Sequence, residues 1–393
     1  MRQNRRAARV GAPAAWLLLA VPAGTAESLT FTEVAAGRVP HEREVRAEAL
    51  LAEAAGAAAG SGGWLLEAPS ASLTAGPRRV DDGATTSDVA VEVELPLAAG
   101  RHRRLDLATA LDDDRVRIRA AGRAIALADL AGAYARAWLA QEEMALRVQD
   151  ISIAEAWVAA TERRVEAGAD PPYESILVAV ERDRALLDLL AARRDVELTW
   201  GELARLAAVP RAPQPLDPSS LPRGEQAAGA AVLTGIEASR DLAILLAGAR
   251  SAAASSRWSV AGDAGREGEE ELARLGVAYR FAMRGERAAI AGQRSSAEAS
   301  ATSEAAGAMA DLRSRIAAAQ VALRSTAPRL DAAALESVER ALESRLAEGR
   351  ERVSQVLPLR RQLLEAALAA AGARAARAQA AAELFFLDGG VLP

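Results

Sequence analysis

Apolar residues recur along this chain with two different periods. From Val89 to Leu95 the alternation is strict: Val89, Val91, Val93 and Leu95 fall on one side, and Ala90, Glu92 and Glu94 on the other. This is the two-residue period of a strand with one apolar and one acidic face. The pattern returns as Leu275, Val277, Tyr279 and Phe281 against Gly276, Ala278 and Arg280. A strand candidate precedes each of these segments, Trp64 to Ala75 in one case and Trp258 to Asp263 in the other. The stretches between them, GPRRVDDGATTSD and GREGEEELAR, are polar and read as loops. Two β-hairpins are therefore predicted, at 64–97 and 258–283. Strands of this kind suit a soluble sandwich or a barrel with lipid outside and water inside. Trp64 and Trp258 suit a membrane interface or simple packing on the adjoining helix.

Elsewhere the period is helical. Arg101 to Val165 contains no proline, whereas Arg284 to Leu346 contains Pro328, which is expected to kink or break it. Helices of roughly 65 residues extend about 100 Å at ~1.5 Å per residue. In the first, Leu127, Leu130, Tyr134, Ala137, Gln141, Met144, Val148, Ile151, Ala154, Val158 and Val165 follow a heptad seam. Such rods bury a stripe and not a core, so they need partners along their length. The outgoing segments Pro171 to Ala208 and Glu351 to Phe386, the latter interrupted early by Pro358, supply part of that. A shorter helical segment precedes each hairpin: Leu29 to Gly60, broken at Pro40, and Ala231 to Ser255.

The first incoming rod ends in Gly168-Ala169-Asp170-Pro171-Pro172. Gly168 can take the left-handed conformation that ends a helix, Asp170 can cap the next one, and Pro171 suits its first turn. Much the same stretch recurs later. Arg345-Leu-Ala-Glu-Gly349 echoes Arg164-Val-Glu-Ala-Gly168, an offset of 349 − 168 = 181. At that offset Leu187 meets Leu368, Arg193 meets Arg374, and Glu202-Leu203 meets Glu383-Leu384. The chain thus reads as a duplication. A first repeat, 27–209, has its tip turn at 168–172; a second, 223–393, has its tip turn at 349–354. The proline-rich linker 210–222 joins them and is expected to be extended and external.

Composition narrows the picture further. Hydrophobic residues are 51% of the 393, yet aromatics are only 3%. The alanine excess argues for closely packed helices over a conventional globular core. A net charge of −5, with all the positive charge on arginine, gives no nucleic-acid footprint. The absence of cysteine excludes disulfides, thiolate metal sites and a lipid-modified N-terminal cysteine. His41 and His102 are too few for a histidine metal cluster, and no metal or other cofactor is expected. No serine–histidine–aspartate order, phosphate-cradling glycine loop or metal-ligand spacing is present, so no enzyme activity is expected. Arg2, Arg5, Arg6 and Arg9, then the apolar Ala14 to Val21, then Gly24-Thr25-Ala26, read as a secretory signal over 1–26. That apolar core is too short to cross a bilayer as a helix.

Helix, hairpin, very long helix, glycine turn, long helix and linker, then the same again, resembles the outer-membrane efflux channel family typified by TolC. The residues that carry the likeness are RRVEAGADPPYESILVA, GELARLAAVP, RLAEGRERVSQVL and the hairpin exit Leu95-Pro96-Leu97 before Gly100-Arg101. Within the family they are most similar to the heavy-metal branch that includes CzcC. The resemblance implies a mainly α fold with a small β part. Duplicated helix hairpins would form a periplasmic tunnel, and two β-hairpins from each of three protomers a twelve-stranded outer-membrane barrel. It implies a homotrimer set in outer-membrane lipid, working with a periplasmic adaptor and an inner-membrane pump of the RND type, and passing heavy-metal cations or drugs. Glu92, Glu94 and Arg280 would then face the barrel lumen. Val89, Val91, Val93, Leu95, Val277, Tyr279 and Phe281 would face lipid. The tips around Gly168 and Gly349 would close the tunnel and meet the adaptor. Asp170, Glu174, Glu348 and Glu351 are candidates for an acidic ring there, with helix capping and solvated charge as the plainer alternative. Arg164 and Arg345, matched across the repeats, are placed to pair with those carboxylates. A soluble periplasmic coiled-coil adaptor or spacer explains the rods but not two alternating hairpins at matched places.

Overall fold

The computed structural model describes residues 28–59, 70–79, 85–96, 101–224, 229–254, 257–267, 270–280, 283–325, 337–338, 340–342, 344–345, 348 and 351–392. The signal segment, Trp64, Phe281, Pro328 and Gly349 lie outside the described residues. Their expectations therefore stand as sequence readings.

The first repeat runs α1 (Phe31–Ala36), α2 (Glu42–Ala59), β1 (Ser70–Arg79), β2 (Thr85–Pro96), α3 (Arg101–Glu166) and α4 (Pro172–Leu206). The second runs α5 (Ala230–Ala254), β3 (Arg257–Glu267), β4 (Glu270–Arg280), α6 (Arg284–Arg324) and α7 (Val353–Leu387). A 3-10 turn at Pro218–Ser220 interrupts the linker. The duplication is regular in the outgoing helices: adding 181 to the bounds of α4, 172 and 206, gives 353 and 387, the bounds of α7.

The four strands form one antiparallel sheet in the order β1-β2-β3-β4, so each hairpin is a neighbour pair and β2 joins β3 across the repeats. The acidic stretch expected as a loop is mostly strand. β3 runs on to Glu267 and β4 begins at Glu270, because cross-strand pairing needs only backbone groups and tolerates acidic side chains where one face is wet. Pro77 lies in β1, the first strand of the sheet's order, where a missing N–H can face outward without breaking a ladder. Pro358 likewise does not interrupt its helix; it sits inside α7 near the N-terminal end, where only one backbone bond is forgone.

Of the helices, α3 is the spine. It packs on α2 and α4 of its own repeat and on α5 and α7 of the other, while α6 packs on α5 and α7. The α3/α5 approach is close: a Cβ on Gly235 would stand 2.4 Å from the Ala121 Cβ and 2.7 Å from the Arg117 carbonyl. Glycine there lets two backbones meet as no larger residue can. Several of the few aromatic residues gather where α1, α3, α4, α7 and the linker converge. Phe31, Tyr134, Trp200, Leu203, Leu216 and Phe386 are all buried in one cluster, with the Phe31 and Tyr134 rings edge-to-face at 5.6 Å. The Tyr134 hydroxyl donates within a polar knot formed by the Leu29 carbonyl at 2.6 Å and the Asp217 carbonyl at 2.9 Å. It thereby ties the start of the first repeat and the linker to α3. Burial pushes its pKa up to about 12, so it remains a donor throughout the physiological range. The heptad seam of α3 is buried from Leu127 to Ala137 and again at Ala154, while Val148 is exposed.

Candidate functional site

The helix-hairpin tip is built first by backbone geometry. Gly168 has φ +72°, and the amides of Ala169 and Asp170 both donate to the Arg164 carbonyl, at 2.8 and 3.3 Å. This is the left-handed C-terminal stop that a glycine permits. Asp170 does not cap the next helix, contrary to the sequence expectation. The N-cap of α4 is Pro171 and has no side-chain cap bond. The Asp170 carboxylate is instead gripped by the Arg164 guanidinium, with Nε to Oδ2 at 2.7 Å and NH2 to Oδ1 at 2.9 Å. A two-pronged, charge-assisted contact outcompetes a single neutral cap bond. The Arg164 guanidinium holds the Asp170 carboxyl below the usual aspartate range.

The second tip repeats the arrangement. Arg345 NH1 lies 2.9 Å from Glu351 Oε1, and both residues sit 181 positions after their counterparts Arg164 and Asp170. Glu348 Oε1 accepts from the Ser344 hydroxyl at 2.8 Å. Arg164 and Arg345 thus both pair with tip carboxylates, as their matched positions suggested.

Glu174 is a different case. It is fully buried and does not stand free at an acidic mouth. Its Oε2 accepts from the Ser354 amide at 3.0 Å and its Oε1 from the Ser354 hydroxyl at 2.8 Å. Ser354 is the second residue of α7, so its amide is one of the four that a helix start leaves unpaired. A carboxylate at that end is also favoured by the helix dipole. Glu174 of the first repeat therefore caps a helix of the second.

Further along, the two repeats are held by charges not singled out in the sequence. Arg360 is buried, ion-paired with Asp150 and bonded to the Asp150 carbonyl, and its guanidinium lies 5.0 Å from the centre of the Trp157 ring. The next residue, Arg361, reaches the other way. Its Nε donates to Glu181 Oε1 of α4 at 3.0 Å. One dipeptide of α7 thus grips both α3 and α4. Burial pushes the Asp150 carboxyl up, whereas the Arg361 hydrogen bond pulls Glu181 down. The available signal was Arg360-Arg361 inside the apolar run LPLRRQLL: two charges in a segment that must pack have to be paired.

At the other end of the molecule, the strand register sorts the sheet into two sets of positions. Leu73, Val91, Ala264 and Ala273 form one row across the four strands, and Ala71, Val93, Gly262 and Leu275 the next of the same parity. Leu95, Val260 and Val277 continue it, and Trp258 pairs with Tyr279. The other parity brings Ser72, Glu92, Asp263 and Arg274 into one row and Glu94 opposite Ser70 and Ala261. Arg280 is opposite Arg257, and Val89 opposite Ala75 and Arg266. Directly paired residues share a face, so an apolar face runs through both hairpins. Leu73, Val91, Leu275 and Val277 are exposed on it.

The overall fold has counterparts among solved structures. The Campylobacter jejuni CmeC outer membrane channel superposes with a TM-score of 0.66 at 14% identity, covering 89% of this chain and 83% of that one. The outer membrane protein VceC of Vibrio cholerae gives 0.61 at 14% identity, covering 92% and 96%. The open-state MtrE outer membrane channel of Neisseria gonorrhoeae gives 0.58 at 16%, covering 92% and 88%. The fold is the TolC-like channel fold. No family model and no curated protein matches the sequence, so the likeness is one of architecture. Within the TolC-like frame, the sheet occupies one end of the helices and the paired tips the other. No helix among the described residues is long and apolar enough to cross a membrane, and no group of three or more His, Asp or Glu among them is placed to hold a metal ion.

Proposed function

We propose that this chain is the outer-membrane channel of a tripartite efflux system. It assembles as a homotrimer whose sheets close into a barrel in outer-membrane lipid. A periplasmic adaptor and an inner-membrane pump of the RND type deliver the substrate, a heavy-metal cation as in the CzcC-like branch or a drug. The single observation that carries this reading is the shared apolar face of a four-stranded sheet at one end of a helical bundle whose longest helix, α3, runs about 100 Å. A sheet with one exposed apolar and one polar face, and free edges at β1 and β4, is satisfied in lipid only when closed. In this reading Val89, Val91, Val93, Leu95, Val277, Tyr279 and Phe281 face lipid, and Glu92, Glu94 and Arg280 the lumen. The chain performs no chemistry and conducts.

The test is extraction followed by imaging. Carbonate-washed outer membranes are expected to retain the protein, and detergent extracts to show a three-fold tube about 100 Å or more long. Release by carbonate as single rods would leave the soluble coiled-coil spacer as the reading.

At the tips, Arg164, Gly168, Asp170, Arg345, Glu348, Gly349 and Glu351 form the periplasmic mouth and the adaptor contact, with Glu174 behind them. The Arg164–Asp170 and Arg345–Glu351 pairs keep the turns in the closed form. Replacing both arginines by alanine is expected to raise uptake of a large antibiotic several-fold in cells carrying normal amounts of assembled channel. Unchanged uptake there would remove the pairs from gating.

A further inference from the structure

The sheet carries opposite charge at its two ends. At the end away from the helices Glu267 is opposite Glu270, Arg266 opposite Glu271, and Asp88 opposite Gly76. At the helix end the charges are arginines. α3 opens on Arg101-His102-Arg103-Arg104, with no acidic residue in its first turn. α6 opens on Arg284-Gly285-Glu286-Arg287, and Arg257 is opposite Arg280 in the end row of the sheet. His102, Arg103, Arg284 and Arg287 are exposed. These residues share one level of the molecule. Arg284 follows Arg280 by four residues and Arg101 follows Pro96 by five, which bounds each separation at about 18 Å. Arg103 NH1 donates to the Gly248 carbonyl of α5 at 3.2 Å, and α5 leads into β3.

Neither placement is favoured by the local structure. The start of a helix carries partial positive charge, so cations in its first turn are repelled. Like charges directly opposite each other in a strand pair are destabilising. An external anion at this level offsets both. The strand register says which anion. On the apolar face Val260 is opposite Val277 and Trp258 opposite Tyr279. That face therefore ends, one row before the arginines, in an aromatic pair of the kind that marks the boundary between hydrocarbon and headgroups. From Trp258 to Glu267 is nine residues, about 30 Å along a strand. At the tilt of barrel strands, roughly 35–45°, this is about 21–25 Å of height, close to the ~25 Å apolar band of an outer-membrane barrel. The arginines stand just beyond it, at the depth of headgroup phosphates. Arginine suits that ligand, because its planar fork offers a phosphate two N–H donors at once.

We infer that this arginine collar, built from the starts of α3 and α6 beside the Trp258–Tyr279 row, binds the phosphates of anionic phospholipids in the periplasmic leaflet. Arg257 and Arg280 belong to the other face of the sheet and add positive charge at the same level. The acidic far end repels the same headgroups, so the preference is confined to one leaflet. Each arginine near an anionic surface strengthens the attraction, which falls off within a Debye length. The inference rests on the channel reading, since the sheet must be the part that spans the membrane.

Native mass spectrometry of the full-length protein in detergent, titrated with phosphatidylglycerol or phosphatidylcholine of equal chain length, tests it. Phosphatidylglycerol is expected to be retained at least tenfold more than phosphatidylcholine. Arg104→Gln, Arg284→Gln and Arg287→Gln together should bring the two lipids within twofold, with helical circular dichroism and oligomeric state unchanged. Arg193→Gln, Arg205→Gln and Arg211→Gln together, at exposed positions on α4 and the linker, should keep the preference. Equal retention of the two lipids by the wild type would overturn the inference whatever the variants do. So would an undiminished preference in the folded collar variant, or the same loss in the control. Displacement of the lipid by millimolar inorganic phosphate would make this a free-anion site and overturn the lipid assignment. Carbonate-resistant protein that forms three-fold tubes but shows no lipid preference sinks this inference and leaves the channel reading standing. Carbonate-released protein sinks the channel reading and this inference with it.

Discussion

Arg360→Ala is expected to be the most damaging single change among the charged positions, costing about 3–5 kcal/mol, the range for removing one partner of a buried pair. The variant keeps Asp150 in its buried site and takes away its counter-charge. It also removes the cation stacked on Trp157, a contact of about 1–2 kcal/mol when desolvated. The sign of the pH dependence follows from burial. Burial already raises the Asp150 carboxyl above its unfolded value, so its contribution to stability is fully present below the unfolded pKa and is lost as pH rises through the folded one. Without Arg360 the carboxyl rises further. The thermal midpoint of Arg360→Ala should therefore fall well below wild type at pH 7 and recover part of the deficit as the pH is lowered towards 5. Adding Asp150→Asn should recover part of it at pH 7. Asp170 has the opposite sign: its carboxyl is lowered by Arg164, so that pair stabilises above the unfolded pKa and weakens as pH falls through the folded one. A deficit at pH 7 that neither acid nor Asp150→Asn reduces would show that Arg360 acts by packing alone.

The parts of this structure legible in the sequence are those set by repetition. Alternation at Val89–Leu95 and Leu275–Tyr279 depends on nearest neighbours along one strand, and the 181-residue offset depends on covalent length. Both survive folding unchanged, so hairpins, rods and tip turns were readable. The pairing of Arg164 with Asp170 was also readable, since six residues across a glycine turn must end close together. What Asp170 does with that closeness does not follow from capping propensity, which describes a carboxylate with no arginine beside it, whereas here a bidentate partner is present. The strand extent beyond Asp263 was hidden because acidic residues are poor strand formers in isolation, while β3 and β4 template each other there. Asp150, Glu181, Arg360 and Arg361 were invisible for a different reason. Their partners lie 180 or 210 residues away, and no local pattern carries that information.

Glu174 shows the same long-range dependence, and Glu174→Ala is the second large effect expected. The change takes the carboxylate acceptor away from the Ser354 amide and hydroxyl, both bonded to it at a partly buried contact. Hydrogen bonds to a charged group contribute about 1.5–3 kcal/mol, and with the loss of a negative charge at a helix start the cost stays in that range. It should be felt locally, because the bond joins the start of α4 to the start of α7, beside the contact of Val178 with Val353 and Val356 that also links them. Amide exchange at residues 353–357 is expected to accelerate strongly while the Phe31–Tyr134–Phe386 cluster keeps its protection. Glu174→Gln retains the geometry and one acceptor oxygen, so it should fall between wild type and alanine. If Glu174 served only as one more surface charge at a tunnel mouth, both variants would leave exchange at 353–357 unchanged. The carboxylate's burial and its two bonds to one residue of the other repeat predict otherwise.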